Sequence, residues 1–369
     1  MRQAALRTDV LCPFSLTVDR VPRFLNAEFA DHPIYDGFEL QWFDDTVHGT
    51  GLLAFLSRRQ DRRVDYYLAP GLRLDRSGYA IGGGIGEWVE ADFDVARLEV
   101  DDGGVFVDVS FTDVDGRRIE VAIDDRGAGR RQASQLLAPV GSGIERPISL
   151  MLVYLHGFDL LRRTDSAPRI LIEGEPVSTG RLPGAFFHRR HLIKAAAPLT
   201  VATVCRERSG PVDLVDRHDP GDVSLDGSGE GIAGLNAGGA DASAAMSFDP
   251  PVPSLASLPE GQPVGGDWRV ALDGAPITGG VWHAVRQGNE VRVGLDVTQE
   301  WRPPTGMSGL MRLVTRLVPV FRRWPTTYRW SAEVDLDSAT IRSRWERTET
   351  GESDTYRRAT GSASRRPRS

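Results

Sequence analysis

Lysine is all but missing from this chain: Lys194 is the only one, and the other 43 of the 44 basic residues are arginine. Cysteine is nearly as scarce, with only Cys12 and Cys205 in 369 residues. Two cysteines exclude a disulfide-scaffolded fold and any cysteine-rich metal site. There is no H-E-x-x-H spacing and no EF-hand pattern of acidic residues, so neither a metal nor another cofactor is expected. No apolar run approaches the ~20 residues that span a bilayer. Residues 1–14, MRQAALRTDVLCPF, lack the continuous apolar stretch of a secretory leader. The reading is a soluble cytoplasmic protein without stable membrane insertion. Positive charge is not in excess either. The net charge is −7 and the pI about 5.6, which argues against a nucleic-acid partner.

What is present points to strands. The chain is 40% hydrophobic with 8 Trp, enough for a sizeable core, and 40 Gly with 23 Pro mark many turns. FELQWFDD, GTGLLAFLSRR and RRVDYYLAPGL are short aromatic or branched runs between charged turns. GYAIGGGIGEW fits neither a dinucleotide fingerprint nor a P-loop, and reads as a bulged or tightly bent strand. From Ala96 to Asp124 the pattern is a meander whose turn is Asp115-Gly116, with Val105, Val107, Val109 and Phe111 on one face. Ile148 to Leu161 is apolar nearly all round, a buried strand or a short buried helix, and RILIEGEPV returns to strand.

Residues 210–266 are rich in Gly, Ala, Ser, Asp and Pro and read as a flexible linker or excursion. Strand signals resume at Trp268, with Gly288-Asn289 as a hairpin turn. Within 307–324 the stripe Leu310, Leu313, Val314, Leu317 and Phe321 predicts the principal helix, which Pro319 should kink or end. Its arginines would face water or lie on a membrane surface as a peripheral contact. These signals predict an all-β-dominated fold with one principal helix. It comprises an N-terminal β lobe (1–209), the linker (210–266), a C-terminal β lobe (267–348) and a disordered tail (349–369).

Titratable groups inside apolar sequence are the candidates for chemistry. Arg181 to Cys205 carries His188, His191 and Lys194 among core-forming residues, and it reads as extended and sheet-associated. Unlike arginine, a desolvated lysine can lose its proton. His156 and Asp159 flank Gly157 in YLHGFD, and the carboxylate of Asp159 is expected to orient His156 beside Lys194. The structural alternative for these five is a buried polar network that only fixes packing. His48 precedes a strand with Asp44 and Asp45 nearby, and Trp282 with His283 lies on a strong strand; these three are candidates for binding a ligand. GSGEG is not a nucleophile elbow, since no strand leads into it.

Leu56–Leu68 and His283–Leu295 align without a gap, Gln60 on Gln287, Val64 on Val291 and Leu68 on Leu295, as in a repeated β lobe. The order FELQWFDD, HGTGLLAFLSRR, long meander resembles the double lipocalin-like proteins, the group of carotenoid 1,2-hydratases and AttH-like proteins. It covers residues 35–125, with a fainter trace at 268–346. The resemblance implies two antiparallel β-barrel-like lobes and a hydrophobic, isoprenoid-like small molecule as partner. The expected activity is that of a lyase (hydratase) or isomerase working by acid–base chemistry. A non-catalytic carrier and an interaction module without a pocket are the alternatives, and the oligomeric state is left open.

Overall fold

The computed structural model describes residues 9–79, 81–139, 147–181, 189–238, 241–301, 307–318, 321 and 324–347. His188 and the tail at 349–369 lie outside the described residues. The fold is mostly strand, with the short α-helix Gly309–Leu317, as the sequence predicts.

A ten-stranded sheet forms the centre. Nine of its strands run in the order Leu16–Val21, Leu199–Val204, Leu150–Arg162, Arg190–Ala196, Arg23–Glu28, Tyr35–Asp45, Gly49–Arg58, Val64–Leu68, Ile85–Glu90. The tenth, Ser134–Ala138, pairs with Leu150–Arg162. The apolar run of Leu150–Arg162 is therefore strand, which settles its two-way reading. The glycine cluster resolves into a 3-10 turn at Arg76–Tyr79, followed by the strand Ile85–Glu90, which runs parallel to Val64–Leu68.

Gly49–Arg58 shows why its sequence does not alternate. Leu53 and Phe55 enter one core with Phe24, Phe43, Tyr66 and Leu68. Leu52, Ala54 and Leu56 enter a second with Leu25, Leu40 and Tyr67. A strand buried on both faces is selected as a continuous apolar run. The second core is closed by a five-stranded sheet in the order Glu175–Pro176, Arg169–Ile172, Arg118–Asp124, Val105–Thr112, Val95–Val100. Val105, Val107, Val109 and Phe111 point into it, each about 1% exposed, as the alternation predicts.

Arg162 and Asp125 tie this smaller sheet to the central one. Their side chains are 4% and 3% exposed. Arg162 Nε donates to Asp125 Oδ2 and Nη2 to Oδ1, both at 3.0 Å, and Nη2 also reaches Gly103 O at 3.1 Å. Nη1 donates to Gly129 O. The Val105 amide donates to Asp125 Oδ1 at 2.7 Å and the Arg162 amide to Oδ2 at 3.0 Å. Both ions are thus fully hydrogen-bonded, the condition under which a buried pair is tolerated.

Three long stretches turn a corner together. Leu155, Leu199 and Val21 are register partners on one side of it, and Asp159, Ala195 and Leu25 on the other. At the corner Gly157 has φ +56°, and a Cβ there would stand 2.8 Å from Ala197 O, so both backbone conformation and space demand glycine. The part of the sheet formed by Leu16–Val21, Leu199–Val204, Leu150–Arg162 and Ser134–Ala138 is a curled half-barrel.

A nine-stranded antiparallel sheet completes the molecule. Its order is Ser209–Pro211, Thr340–Arg347, Tyr328–Asp335, Glu290–Gln299, Ala275–Gln287, Val264–Leu272, Ser243–Val252, Ile232–Gly238, Val223–Leu225. This corrects the linker reading of 210–266, which supplies several of these strands. In Ser243–Val252, Ala244, Met246 and Phe248 are buried while their neighbours face out. Cross-strand packing overrides the low β-propensity of Ala, Ser and Gly there. A further two-stranded sheet joins Asp9–Cys12 to Asp213–Asp216.

The helix also departs from its predicted face. Ser308 caps it by accepting from the Met311 amide, and Met311 and Thr315 are the buried residues. Leu313 and Leu317, expected in the apolar stripe, are 52% and 61% exposed. Only Met311 and Thr315, one turn apart, reach the core, with Leu310 and Val314 at its margin. Among the described residues no helix is long and apolar enough to cross a membrane.

Candidate functional site

The register of the central sheet draws one line of side chains across five strands and onto a sixth. Lys194 pairs with Asn26, Asn26 with Glu39, Glu39 with Phe55, Phe55 with Tyr66 and Tyr66 with Trp88. Directly paired residues share a face, so a carboxyl, an amide and an amine sit beside three aromatic rings. Phe55 and Tyr66 are fully buried, while Glu39 is half-buried and still meets solvent.

Glu39 is the most perturbed carboxyl of the region. Burial pushes its pKa up to about 7, against the opposing pull of Gln41, Lys194 and Asn26. Gln41 Nε2 donates to Glu39 Oε1 at 2.7 Å and Asn26 Nδ2 to Oε2 at 3.4 Å. Gln41 is 6% exposed, and its Oε1 has no hydrogen-bond partner. Trp88 Nε1, at the far end of the line, is also buried and unpartnered. Buried polar atoms left unpaired are uncommon and call for a reason.

The rings around Glu39 form one cluster. Tyr66 stacks on Trp88 at 4.5 Å, Phe55 meets Tyr66 at 4.8 Å, and Tyr79 lies 5.4 Å from Trp88 and 5.7 Å from Phe55. The Tyr66 hydroxyl donates to Tyr79 O. The Tyr79 hydroxyl is held well above its usual range, first by burial and then by the charges of Asp19, Glu39 and Asp75. Asp19 belongs to Leu16–Val21 on one arm of the curl and Glu39 to the other arm. Both charges act on Tyr79.

The predicted site residues are not gathered together. His156 Nε2 lies 3.1 Å from Thr200 Oγ1 and 3.8 Å from Asp273 Oδ2 of the nine-stranded sheet. Burial lowers its pKa, with Asp273 opposing and Arg20 assisting. Asp159 instead accepts from the Leu160 and Gln132 amides at 2.8 and 3.3 Å and pairs with Arg190 at 3.5 Å. Burial raises its pKa against the pull of Arg190 and Arg131. The expected His156–Asp159 contact is therefore corrected: the corner at Gly157 sends the two side chains to different partners.

Lys194 Nζ pairs with Glu28 Oε1 at 2.5 Å, on the same sheet face as Glu39. Glu28 is 59% exposed. Lys194→Met should accordingly change stability by less than about 1 kcal/mol in urea denaturation. A larger loss would show that the amine supports more than this ion pair. His191 lies elsewhere, half-buried beside a hollow of about 260 Å³ bordered by Arg163, Thr179 and Arg190. Its pKa is lowered by burial and then by the Arg163 charge.

His48 Nδ1 is 2.9 Å from Asp45 Oδ2, in a turn whose amides also bind Asp45, and its ring lies 5.1 Å from Phe43. Trp282 and His283, both candidates for binding a ligand, point to opposite faces of their strand. Trp282 is 1% exposed in the core, and the exposed His283 lies over Gly294, where a Cβ would stand 2.3 Å from the ring.

Sequence reasoning missed Glu39. In FELQWFDD, Glu39 and Gln41 alternate with Phe38 and Leu40 and read as a solvent face. The one contrary signal is that Phe43 continues the Glu39–Gln41 face. Among the described residues no group of three His, Cys, Asp or Glu stands in a metal-holding arrangement. The chain matches no protein-family model, no curated protein and no solved structure.

Proposed function

We propose that the chain takes up an apolar small molecule against the aromatic face around Glu39 and moves a proton on it through the Glu39 carboxyl. What supports this reading is the place of the half-buried Glu39 on one sheet face with Phe55 and Tyr66, where burial pushes its carboxyl up to about 7. A carboxyl poised near neutral pH can give a proton and take one back within a single turnover. The partly buried rings of Tyr79 and Trp88 offer both apolar contact and a negative quadrupole to a carbocation forming on an alkene. Glu39 would protonate one alkene carbon. The cation then loses a neighbouring proton to the Glu39 carboxylate, giving isomerisation, or captures water, whose surplus proton returns to Glu39, giving hydration. This is the lyase or isomerase class that the lipocalin-like layout implies. A carrier without chemistry is the second reading, favoured by the hydrogen bonds from Gln41 and Asn26, which suit a purely structural carboxyl.

The test uses squalene as a linear isoprenoid probe in D₂O, with mass analysis of the recovered alkene. Deuterium uptake in the wild type and none in Glu39→Gln, with quenching of tryptophan emission in both, supports the proton-transfer reading. Quenching without uptake in either protein leaves the carrier. Uptake that persists in Glu39→Gln overturns the role of this carboxyl, and absence of quenching overturns both readings.

A further inference from the structure

An open cleft of about 820 Å³ lies apart from the Glu39 line, and arginines dominate its wall. Arg126, Arg162, Arg163, Arg189 and Arg190 line it, with Asp124, Thr164, Asp165 and Ser166. Three of the five already have carboxylate partners: Arg162 with Asp125, Arg126 with Asp124 and Arg190 with Asp159. Arg163 and Arg189 differ. Their exposed guanidinium groups make no ion pair or hydrogen bond to any described residue, although the chain holds 51 acidic residues. The two are adjacent, since the Arg163 amide donates to Arg189 O at 2.9 Å. Arg189 has φ +49°, a left-handed conformation costly for a residue other than Gly, Asn or Asp. Strain of this kind gathers where a side chain is held for use.

We infer that this cleft is a second binding site, for a phosphorylated small molecule that also carries hydroxyl groups. Two guanidinium groups lining one cleft, neither with a partner among the described residues, match a diphosphate, or two phosphate groups on one ligand, with charge-assisted hydrogen bonds. The volume falls in the range of organic ligands and far exceeds that of inorganic phosphate. No aromatic ring lies among the described lining residues, so a nucleobase has no platform. The hydroxyls of Thr164 and Ser166 and the carboxylate of Asp165 are instead the partners that sugar or polyol hydroxyls require. The neighbouring hollow beside His191 shares Arg163 and Arg190 and extends the cleft toward Ser178 and Thr179.

Calorimetric titration with fructose 1,6-bisphosphate at low salt tests the inference, with sulfate and fructose as controls. The sugar bisphosphate should bind at least about tenfold more tightly than sulfate, and fructose should not bind. Arg163→Gln and Arg189→Asn should each weaken binding about tenfold, and the double variant should abolish it. Asn suits the positive φ at 189, and neither guanidinium forms an ion pair or hydrogen bond with a described residue, so the ligand-free melting temperature should stay within about 2 °C of wild type. The inference fails if the bisphosphate binds no better than sulfate at equal ionic strength, or if the double variant binds it undiminished.

Discussion

Arg162→Met should cost the fold about 3–5 kcal/mol, the penalty for leaving a buried carboxylate without its counter-ion. Asp125 would keep the Val105 amide and the amide of residue 162 but lose the guanidinium, at 3% exposure. The pH dependence should invert as well. In the native protein burial pushes the Asp125 carboxyl upward, but the Arg162 guanidinium with the Arg162 and Val105 amides holds it below its ordinary 3.8. The folded state then binds fewer protons than the unfolded one. That contribution is present above pH 3.8 and fades as pH falls through the lowered value. Without Arg162 burial prevails, the carboxyl rises, and the variant should lose more stability at pH 8 than at pH 5. Urea unfolding at both pH values measures this. A loss under 1 kcal/mol, or one equal at the two pH values, would show that the pair is not the clamp between the sheets. Adding Asp125→Leu to Arg162→Met should recover much of the loss, since no ion then remains buried.

Glu39→Gln should act in the opposite direction and stabilise the protein at pH 8, by about 1–2 kcal/mol after allowance for the partial exposure of this side chain. The folded Glu39 holds its proton up to about 7, whereas in the unfolded chain it releases it near 4.5. Between those values the folded state binds more protons, so native stability falls as pH rises through the window and levels off above it. Glutamine carries no titrating proton and escapes the decline, while its amide oxygen still accepts from Gln41. At pH 4 the two proteins should be equal within about 0.5 kcal/mol. Thermal unfolding at pH 4, 6 and 8 reads the difference, and a variant less stable than wild type at pH 8 would refute a raised Glu39. A group that lowers stability where the protein works is the kind of residue kept for function rather than packing.

Much of the fold was legible because its signals are local. The Asp115-Gly116 and Gly288-Asn289 turns and the valines of Val105–Thr112 specify hairpins without reference to the rest of the chain. The strands between 210 and 266 were not legible, because Gly234 and Ala244 belong in a sheet only once neighbours such as Met246 and Leu272 lie beside them. The site failed for a related reason. Sequence proximity suggested that His156 and Asp159 act together, but residues three apart on a regular strand face opposite ways, and across the corner at Gly157 each finds its own partners, Thr200 for one and Arg190 for the other. Glu39, on a strand that alternates as if half-exposed, takes its cross-strand partners Asn26 and Phe55 from the register of the sheet. No local pattern encodes that register.

The pairing of the N-terminal strands has a consequence for synthesis on the ribosome. Leu16–Val21 finds its hydrogen-bonding partner at Leu199–Val204, and Asp9–Cys12 at Asp213–Asp216. At 5–20 residues per second, about 10–40 s pass between the emergence of the first strands and that of their partners. Throughout that interval their backbone groups are open to neighbouring nascent chains, as on any unpaired edge. Arg20 and Asp19 lie within the waiting segment, and charge on an unpaired edge opposes premature association. The long delay makes this arm the part of the newborn protein that a chaperone has most reason to hold.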